Sequence, residues 1–485
     1  MKTIPLMPVG QLPAHRISLL AGREKSDIRI LGINPAAINE DRLPIPPLGI
    51  LYVAAYARQH GYSQWRIVDN DILDRRPVES FIEDIRWADI VALTGTTAQC
   101  RQAFDLTALA KQMGKLVVYG GPHAGPTWEK TLAKGIDVVV HGEGEITFTE
   151  LLDAFREGRD LSTVSGISYL GPDGIPVRTG KRKRLYELDS LPFPARDLLP
   201  MEYYGNKPLK RFSDDGRYLQ LMMTRGCTDK CTFCETPGNW GEAVARSAEN
   251  LFTEMMEVHQ KYGVLYFHFQ DDVFTVNQPI VRKLCYLLIE ERLKRQGPIR
   301  FEWSCLVRPD QVNYELLCLM KLAGCVQVEM GVESGSEKLL VAGRKRYKKS
   351  VIKQAFDDAR RAGIRTYGFF IVGLPGETKD TVCESIRFAK EINADSSVWT
   401  VITPYPGTEI YDRRNDPDSG ITILDDDFEH WLYKTPVVQV GDLGPAELTR
   451  LRRIANRVAN GPGYHGAYRY GPGNAIVGSS TMPAL

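Results

Sequence analysis

Charge of one sign is scarce in this sequence: 61 Lys and Arg stand against 60 Asp and Glu, a formal net charge of +1 over 485 residues. That excludes a global attraction to nucleic acid or to an anionic membrane surface, and neither is expected as a partner. Long apolar runs are absent too. No stretch approaches the ~18 residues that a membrane span needs, and the opening segment carries Pro5 and Pro8 where an export signal needs an unbroken apolar run. The nine cysteines do not form a disulfide framework, since three fall within eight residues and six are scattered. With no export signal, this usage points to the reducing cytoplasm. Cys100, Cys285, Cys305, Cys318, Cys325 and Cys383 read as small buried hydrophobes. The basic clusters Lys181-Arg182-Lys183-Arg184 and Arg344 to Lys349 read as solvated surface loops.

Hydrophobic residues make up 43% and charged residues 25%, ordinary for a globular chain, and the length implies two or three domains. After an N-terminal extension (1–26), residues 27–165 alternate short apolar runs with helical patterns. Ile28–Ile33, Ile67–Asp69, Ile90–Leu93, Leu116–Tyr119 and Val138–Val140 are predicted strands, and Leu48–His60 a helix closed by Gly61. Such alternation predicts an α/β domain with a doubly wound parallel sheet, which binds ligands at the carboxyl ends of its strands. Those ends carry Thr94-Gly95-Thr96-Thr97, Gly120-Gly121-Pro122-His123 and His141-Gly142-Glu143-Gly144-Glu145, which offer backbone amides and small side chains to a large polar cofactor. Residues 166–215 are proline-rich and read as an irregular linker. Residues 216–415 resume the alternation with predicted strands Tyr218–Met223, Tyr266–Phe269, Phe301–Leu306, Val326–Met330, Thr366–Val372 and Ser397–Thr403. Six strand–helix units predict an incomplete parallel barrel with its site at the strand carboxyl ends. In the C-terminal segment (416–485) one helix is expected, Pro445–Ala459, followed by a glycine-rich tail.

The most specific stretch is Arg225-Gly226-Cys227-Thr228-Asp229-Lys230-Cys231-Thr232-Phe233-Cys234, directly after the first strand of the second series. Three thiols so spaced can converge on one iron–sulfur cluster, and three ligands for four irons leave one iron open. Structural zinc wants four closed ligands, and no fourth Cys or His lies nearby in sequence.

The spacing Cys-x3-Cys-x2-Cys with an aromatic before the last cysteine resembles the signature of the radical S-adenosylmethionine enzymes. Residues 27–165 resemble the cobalamin-binding domain of one large subgroup, and Leu191-Pro192-Phe193-Pro194-Ala195-Arg196 its linker. Gly331-Val332-Glu333-Ser334-Gly335, Gly368 to Thr378 and Pro404-Tyr405-Pro406-Gly407-Thr408 resemble its barrel motifs. The resemblance implies a [4Fe–4S] cluster on Cys227, Cys231 and Cys234, whose open iron chelates S-adenosylmethionine, with Phe233 near the adenine. It places Gln270, Asp271 and Asp272 near the methionine amino group, although the two aspartates suit helix caps equally well. Arg308 and Glu333 lie at later strand ends, within reach of the ribose or carboxylate, or else in surface salt bridges, and Ser334 beside Glu333 is a further implied cofactor-binding residue. Thr94, Thr96, Thr97, Gly120, Gly121, His123, Gly142 and Glu143 are the implied cobalamin contacts. None of the eight histidines completes an Asp-x-His-x-x-Gly motif, so cobalt is expected without a histidine beneath it.

By the same resemblance, the expected activity is a cobalamin-dependent radical methyl transfer to an unactivated carbon, or to phosphorus, of a small-molecule or natural-product substrate. An external flavodoxin- or ferredoxin-type protein would donate electrons. The alternative within the subgroup is cyclisation, rearrangement or oxidation without methyl transfer. Two other classes fit less well. A cobalamin-binding sensor would leave the cysteine loop without a role. A transfer-RNA methylthiolating enzyme would carry three further cluster cysteines near its N-terminus, where this chain has only Cys100.

Overall fold

The computed structural model describes residues 20–37, 45–72, 75–204, 218–431 and 435–461. The N-terminal extension up to residue 19 and the glycine-rich tail from residue 462 lie outside them. Strands β1 (Ile30–Asn34), β2 (Trp65–Asp69), β3 (Ile90–Thr94), β4 (Leu116–Gly120) and β5 (Val138–Val140) form a parallel sheet. The runs of β1, β3, β4 and β5 are buried almost without interruption, as parallel strands covered on both faces require, while the edge strand β2 alternates. The spatial order β2-β1-β3-β4-β5 puts the topological switch between β1 and β3. The stretch expected to be an irregular linker departs from that reading. Ile167–Leu170 (β6) and Pro176–Arg178 (β7) add to the same sheet as antiparallel strands. They are short and flanked by glycine and proline, which masks their periodicity.

The second sheet is built from β8 (Tyr218–Leu221), β11 (Tyr266–Phe269), β12 (Glu302–Val307), β13 (Cys325–Glu333), β14 (Arg365–Val372) and β15 (Ser396–Val401). All are parallel, in the order β15-β14-β13-β12-β11-β8, the partial barrel expected. Between β8 and β11 the short pair β9 (Thr224–Arg225) and β10 (Val244–Ala245) runs antiparallel. It closes the neck of an excursion that contains all three clustered cysteines. Several barrel helices start on side-chain caps: Ser247 accepts from Asn250 N at 3.1 Å, Asn277 from Ile280 N at 3.3 Å and Asn313 from Leu316 N at 2.9 Å.

The C-terminal segment holds more than one helix. Helix Pro445–Asn460 packs along β15, where Asn460 accepts from Ser397 N at 2.7 Å and donates to its carbonyl at 3.0 Å. Ahead of it, β16 (Thr422–Ile423) pairs with β17 (Val438–Gln439), and Trp431 is fully buried. Phe428 next to it stands edge-on to His123 of the first domain, ring centroids 5.5 Å apart, and Arg101 bonds Glu429 at 2.6 Å. No helix among the described residues is long and apolar enough to cross a membrane.

The first domain is tied to the barrel through the Leu191–Arg196 stretch. Arg196 Nη2 lies 2.7 Å from Glu254 Oε1, and Arg246 grips the other carboxylate oxygen. All three side chains are at least 95% buried. Removing one member of such a cluster leaves uncompensated buried charge, at a cost of about 3–5 kcal/mol. Glu254→Gln, which keeps the volume, is therefore expected to lower the urea unfolding midpoint markedly. A midpoint equal to that of the unaltered protein would show that the cluster contributes nothing.

Candidate functional site

The cysteine loop leaves β9 through Gly226, at φ +92°, where a Cβ would stand 2.6 Å from the carbonyl oxygen of Glu242. Only glycine fits that neck. Beyond it the loop is pinned at several points. Cys227 N donates to Gly241 O at 3.3 Å and Asp229 N to Cys227 Sγ at 3.4 Å. Thr232 N donates to Gly343 O at 3.3 Å, and Thr232 O accepts from Ile410 N at 3.0 Å. Cys227, Cys231 and Cys234 are all half-buried. Burial pushes the Cys231 thiol up to about 12 and raises that of Cys234; each is raised further by a neighbouring cysteine. Among the described residues, no three His, Cys, Asp or Glu side chains converge at ligating distance. The donor set suits a cluster nonetheless. It is three soft sulfurs on one short loop, and metal binding supplies the charge that makes deprotonation of such buried thiols favourable.

Several residues expected to touch cofactor hold this loop in place. Asp271 is buried and accepts from Thr224 N, and Asp272 accepts from Gly226 N at 3.1 Å and from Thr236 Oγ1 at 2.9 Å. Neither caps the following helix, which takes Asn277 as its cap. Arg308 ends β12 and pairs with Asp229 at 2.6 Å, donates to Thr228 Oγ1 at 3.2 Å, and pairs with Asp310 at 2.6 Å. It is a buried clamp on the loop and not a surface salt bridge. Glu333 adopts φ +63°, rare for a side-chain-bearing residue, and meets Lys345 Nζ at 2.9 Å. Ser334 is fully buried, and its Oγ accepts from Ser336 N at 3.1 Å and lies 3.2 Å from Ser385 Oγ. The basic cluster at 344–349 departs from a solvated loop at Lys345. Its side chain is 11% exposed, and Nζ lies 5.8 Å from the centroid of the Phe233 ring.

Above the loop, a cavity of ≈ 810 Å³ opens between the two domains, within the ~300–1,000 Å³ typical of ligand pockets. Thr94, Thr96, Thr97, Gly120, Gly121 and Gly142 line its first-domain side, as the strand-end reading requires, and Gln270 lies on the barrel side. Asn34, at the end of β1, joins Thr94, at the end of β3, so the cavity begins at the topological switch. Gly121 takes φ +97°, and a Cβ there would sit 3.0 Å from Thr94 Oγ1 and 3.1 Å from Gly95 N. Two backbone loops thus meet without side chains between them, a floor that a flat, polar-edged cofactor can approach closely.

Two expected contacts are displaced from this wall. His123 is 1% exposed and does not line the cavity; it turns inward, with Nδ1 3.1 Å from Thr97 Oγ1 and its ring against Phe428. Glu143 also lies off the wall. Its carboxylate pairs with Arg225 Nη1 at 3.2 Å and accepts from Leu185 N at 3.1 Å. His141 bonds Ser168 Oγ at 2.8 Å, and no histidine lines the cavity among the described residues.

Nothing in the sequence singles out Arg225, yet it joins the two halves of the site. It directly precedes Gly226 at the loop neck and is only 5% exposed. Nη2 meets Glu145 at 2.7 Å, and the guanidinium lies 5.1 Å from the Tyr52 ring and 5.4 Å from the Trp240 ring. Glu143 and Glu145 stand at the N-terminal end of helix Gly144–Glu157, where the helix dipole favours acids. Gln220, Trp240 and Tyr405 are further lining residues. Tyr405 belongs to the Pro404–Thr408 motif and Gln220 to the first predicted barrel strand, whereas Trp240 had no signal in the sequence.

Two family models match: "Radical SAM superfamily" over residues 221–389 and "B12 binding domain" over 36–152. An uncharacterized methyltransferase of Pyrococcus horikoshii, PH0819, is 32% identical over 383 residues, covering 76% of this chain and 78% of that protein. The anaerobic magnesium-protoporphyrin IX monomethyl ester cyclase of Rubrivivax gelatinosus is 28% identical over 413 residues, 83% of this chain and 71% of the cyclase. Among solved structures, the radical S-adenosylmethionine methyltransferase TsrM of Kitasatospora setae, with cobalamin and a [4Fe–4S] cluster bound, superposes with a TM-score of 0.68 at 19% identity. The match covers 87% of this chain and 81% of TsrM.

Burial lowers the pKa of His123 to about 4, with Lys130 adding to the effect. The unfolded chain, with histidine near 6.5, therefore binds a proton that the folded chain refuses between those values. Stability is full above pH 6.5 and falls as the pH drops toward 4, by about 2 kcal/mol from this residue at pH 5. His123→Leu is expected to flatten the fall in melting temperature between pH 7 and pH 5. An unchanged acid slope in that variant would contradict the assignment.

Proposed function

We propose, for a chain that belongs to the cobalamin-dependent radical S-adenosylmethionine methyltransferases, that it places a methyl group on an unactivated carbon, or on phosphorus, of a small molecule. Its cofactors are a [4Fe–4S] cluster, S-adenosylmethionine and cobalamin. The observation that carries the reading is the single cavity bounded by first-domain strand ends on one side and the barrel mouth on the other. When bound, the cluster and S-adenosylmethionine supply a hydrogen-abstracting 5′-deoxyadenosyl radical, and methylcobalamin supplies the methyl group.

The work of the chain itself is placement and exclusion. Cys227, Cys231 and Cys234 offer three thiolates, and Arg308 and Asp272 hold the loop that carries them from opposite sides. Phe233 closes the loop against the 343–347 segment, where a Cβ on Gly343 would come within 3.1 Å of its ring. The backbone of Gly120, Gly121 and Gly142, with Thr94, Thr96 and Thr97, forms the bed for the corrin. Among the described residues, no histidine lines that bed. Gln270 faces the methionine end of S-adenosylmethionine, and the Glu333–Lys345 pair and Ser334 shape the adjoining strand end. Enclosure between two domains keeps water from the reacting groups, and a shared cavity shortens the distance between hydrogen removal and methyl delivery. An electron donor of flavodoxin or ferredoxin type approaches past Lys230, exposed between two of the cysteines, and the reducing cytoplasm suits the unpaired thiols.

Two measurements test the reading. Changing Cys227, Cys231 and Cys234 together to Ala is expected to abolish the charge-transfer absorbance of the reconstituted protein and its cleavage of S-adenosylmethionine. Full iron and sulfide content in that variant would defeat the ligand assignment. Turnover with substrate is expected to form 5′-deoxyadenosine and S-adenosylhomocysteine together, about one of each per methylated product, as a radical start and a re-methylated cobalt require. The similarity to the protoporphyrin cyclase favours one specific rival outcome: 5′-deoxyadenosine without S-adenosylhomocysteine and without added methyl would establish ring closure instead.

A further inference from the structure

The barrel side of the shared cavity has a composition that selects among acceptors. Met222, Trp240, Phe369, Val398 and Tyr405 line it. Phe369 and Val398 are half-buried and lie on neighbouring strands, on the face of each that points into the barrel. A wall of this kind stabilises a ligand by covering its apolar faces.

Two uncharged side-chain amides stand among these apolar groups. Gln220 Nε2 donates to Gln270 Oε1 at 2.6 Å, so the two side-chain amides form a pair at the carboxyl ends of β8 and β11. Each amide has two donors and two acceptor lone pairs, so with Gln270 turned to S-adenosylmethionine, Gln220 keeps capacity for an amide, lactam or hydroxyl of the acceptor. Thr400 lines the opposite edge from β15, its hydroxyl 3.3 Å from Phe370 O. Arg225 is the one cation among the described lining residues, and Glu143 and Glu145 engage both its terminal nitrogens. The remaining ionisable groups on the described wall are acids: Glu235 on the barrel side, whose pKa burial raises to about 7, with Asp71 and Glu145 on the first-domain side. Against the described wall, a phosphate or carboxylate on the acceptor would be desolvated beside acids, with the guanidinium of Arg225 already engaged by Glu143 and Glu145, which is costly in a low-dielectric site.

We infer that the methyl acceptor is an uncharged molecule with a broad apolar or aromatic face and amide- or hydroxyl-type polar groups, and not a phosphorylated or carboxylate-bearing one. The inference deepens the methyltransferase reading and rests on it only for locating the acceptor at the barrel mouth.

Equilibrium dialysis of the anaerobically reconstituted, cofactor-loaded protein tests the inference with a matched pair of probes, indole-3-acetamide and indole-3-acetate. They share a ring and differ only in amide against carboxylate. The acetamide is expected to bind at least tenfold tighter. Thr400→Lys, which adds a cation to the wall without touching the cysteine loop or the first-domain strand ends, is expected to shift the ratio at least tenfold toward the acetate. Equal or tighter binding of the acetate by the unaltered protein overturns the inference, and so does failure of both probes to bind. The comparison in the unaltered protein stands even where the lysine variant fails to fold. Since binding alone is read, these outcomes are independent of whether S-adenosylhomocysteine forms on turnover, which decides the methyl-transfer reading separately.

Discussion

The pairing of Arg225 with Glu143 and Glu145 is the interaction on which the geometry of the site depends. Each of the three groups would be expensive to bury alone. Together they sit at a helix N-terminus, with a further backbone donor from Leu185 on Glu143. The partners come from different domains: the acids follow β5 of the first sheet, and the arginine stands at the neck of the cysteine loop. A shift of one domain against the other would strip the guanidinium of its partners, so the strand-end bed and the cysteines keep a fixed separation. The Arg196–Glu254–Arg246 cluster braces the same two bodies from the linker side. The two buried ionic groups, both reaching Tyr52 of the first domain, limit how far the domains can slip, because charge pairing tolerates little displacement.

Within that frame each fold contributes its ordinary ligand-binding end. The first sheet presents the carboxyl ends of β1, β3 and β4 at its switch point, and the partial barrel presents those of β8, β11, β14 and β15. Neither end forms an enclosed site alone. Facing one another they make a cavity with a backbone-lined floor and a largely apolar far wall. This divides the labour between a large polar cofactor and a smaller substrate.

Much of this was legible in the chain, for reasons that differ from element to element. The strands announced themselves because parallel strands are apolar on both faces; Tyr266–Phe269 and Val138–Val140 coincide with their predicted limits. The cysteine loop was readable because its ligands lie within one short segment. What was hidden depends on distant pairing. Glu143 looked like a cofactor contact, since its position after β5 is right and nothing near it in sequence names Arg225, 82 residues on, as its partner. Asp271, Asp272 and Arg308 occupy the strand ends foreseen for them, but the first neighbour each meets is the cysteine loop. His123 was misplaced because its burial comes from Phe428, far along the chain. Lys345 was lost inside a basic run, where composition suggests solvent and only the carboxylate of Glu333 draws the ammonium inward.

The contact of the C-terminal segment with the first domain sets an order on the birth of the protein. Arg101 and Glu429 are 328 residues apart in the chain, and Phe428 covers the face of His123 that the first domain leaves bare. A nascent first domain can build its sheet as soon as it leaves the ribosome, yet that flank stays open until nearly all of the barrel has been made. Contacts that span such distances close late and slowly. Through most of synthesis the domain is therefore a folded sheet with an unfinished side. The segment that carries Phe428 and Glu429 completes that flank only after the barrel strands have been made.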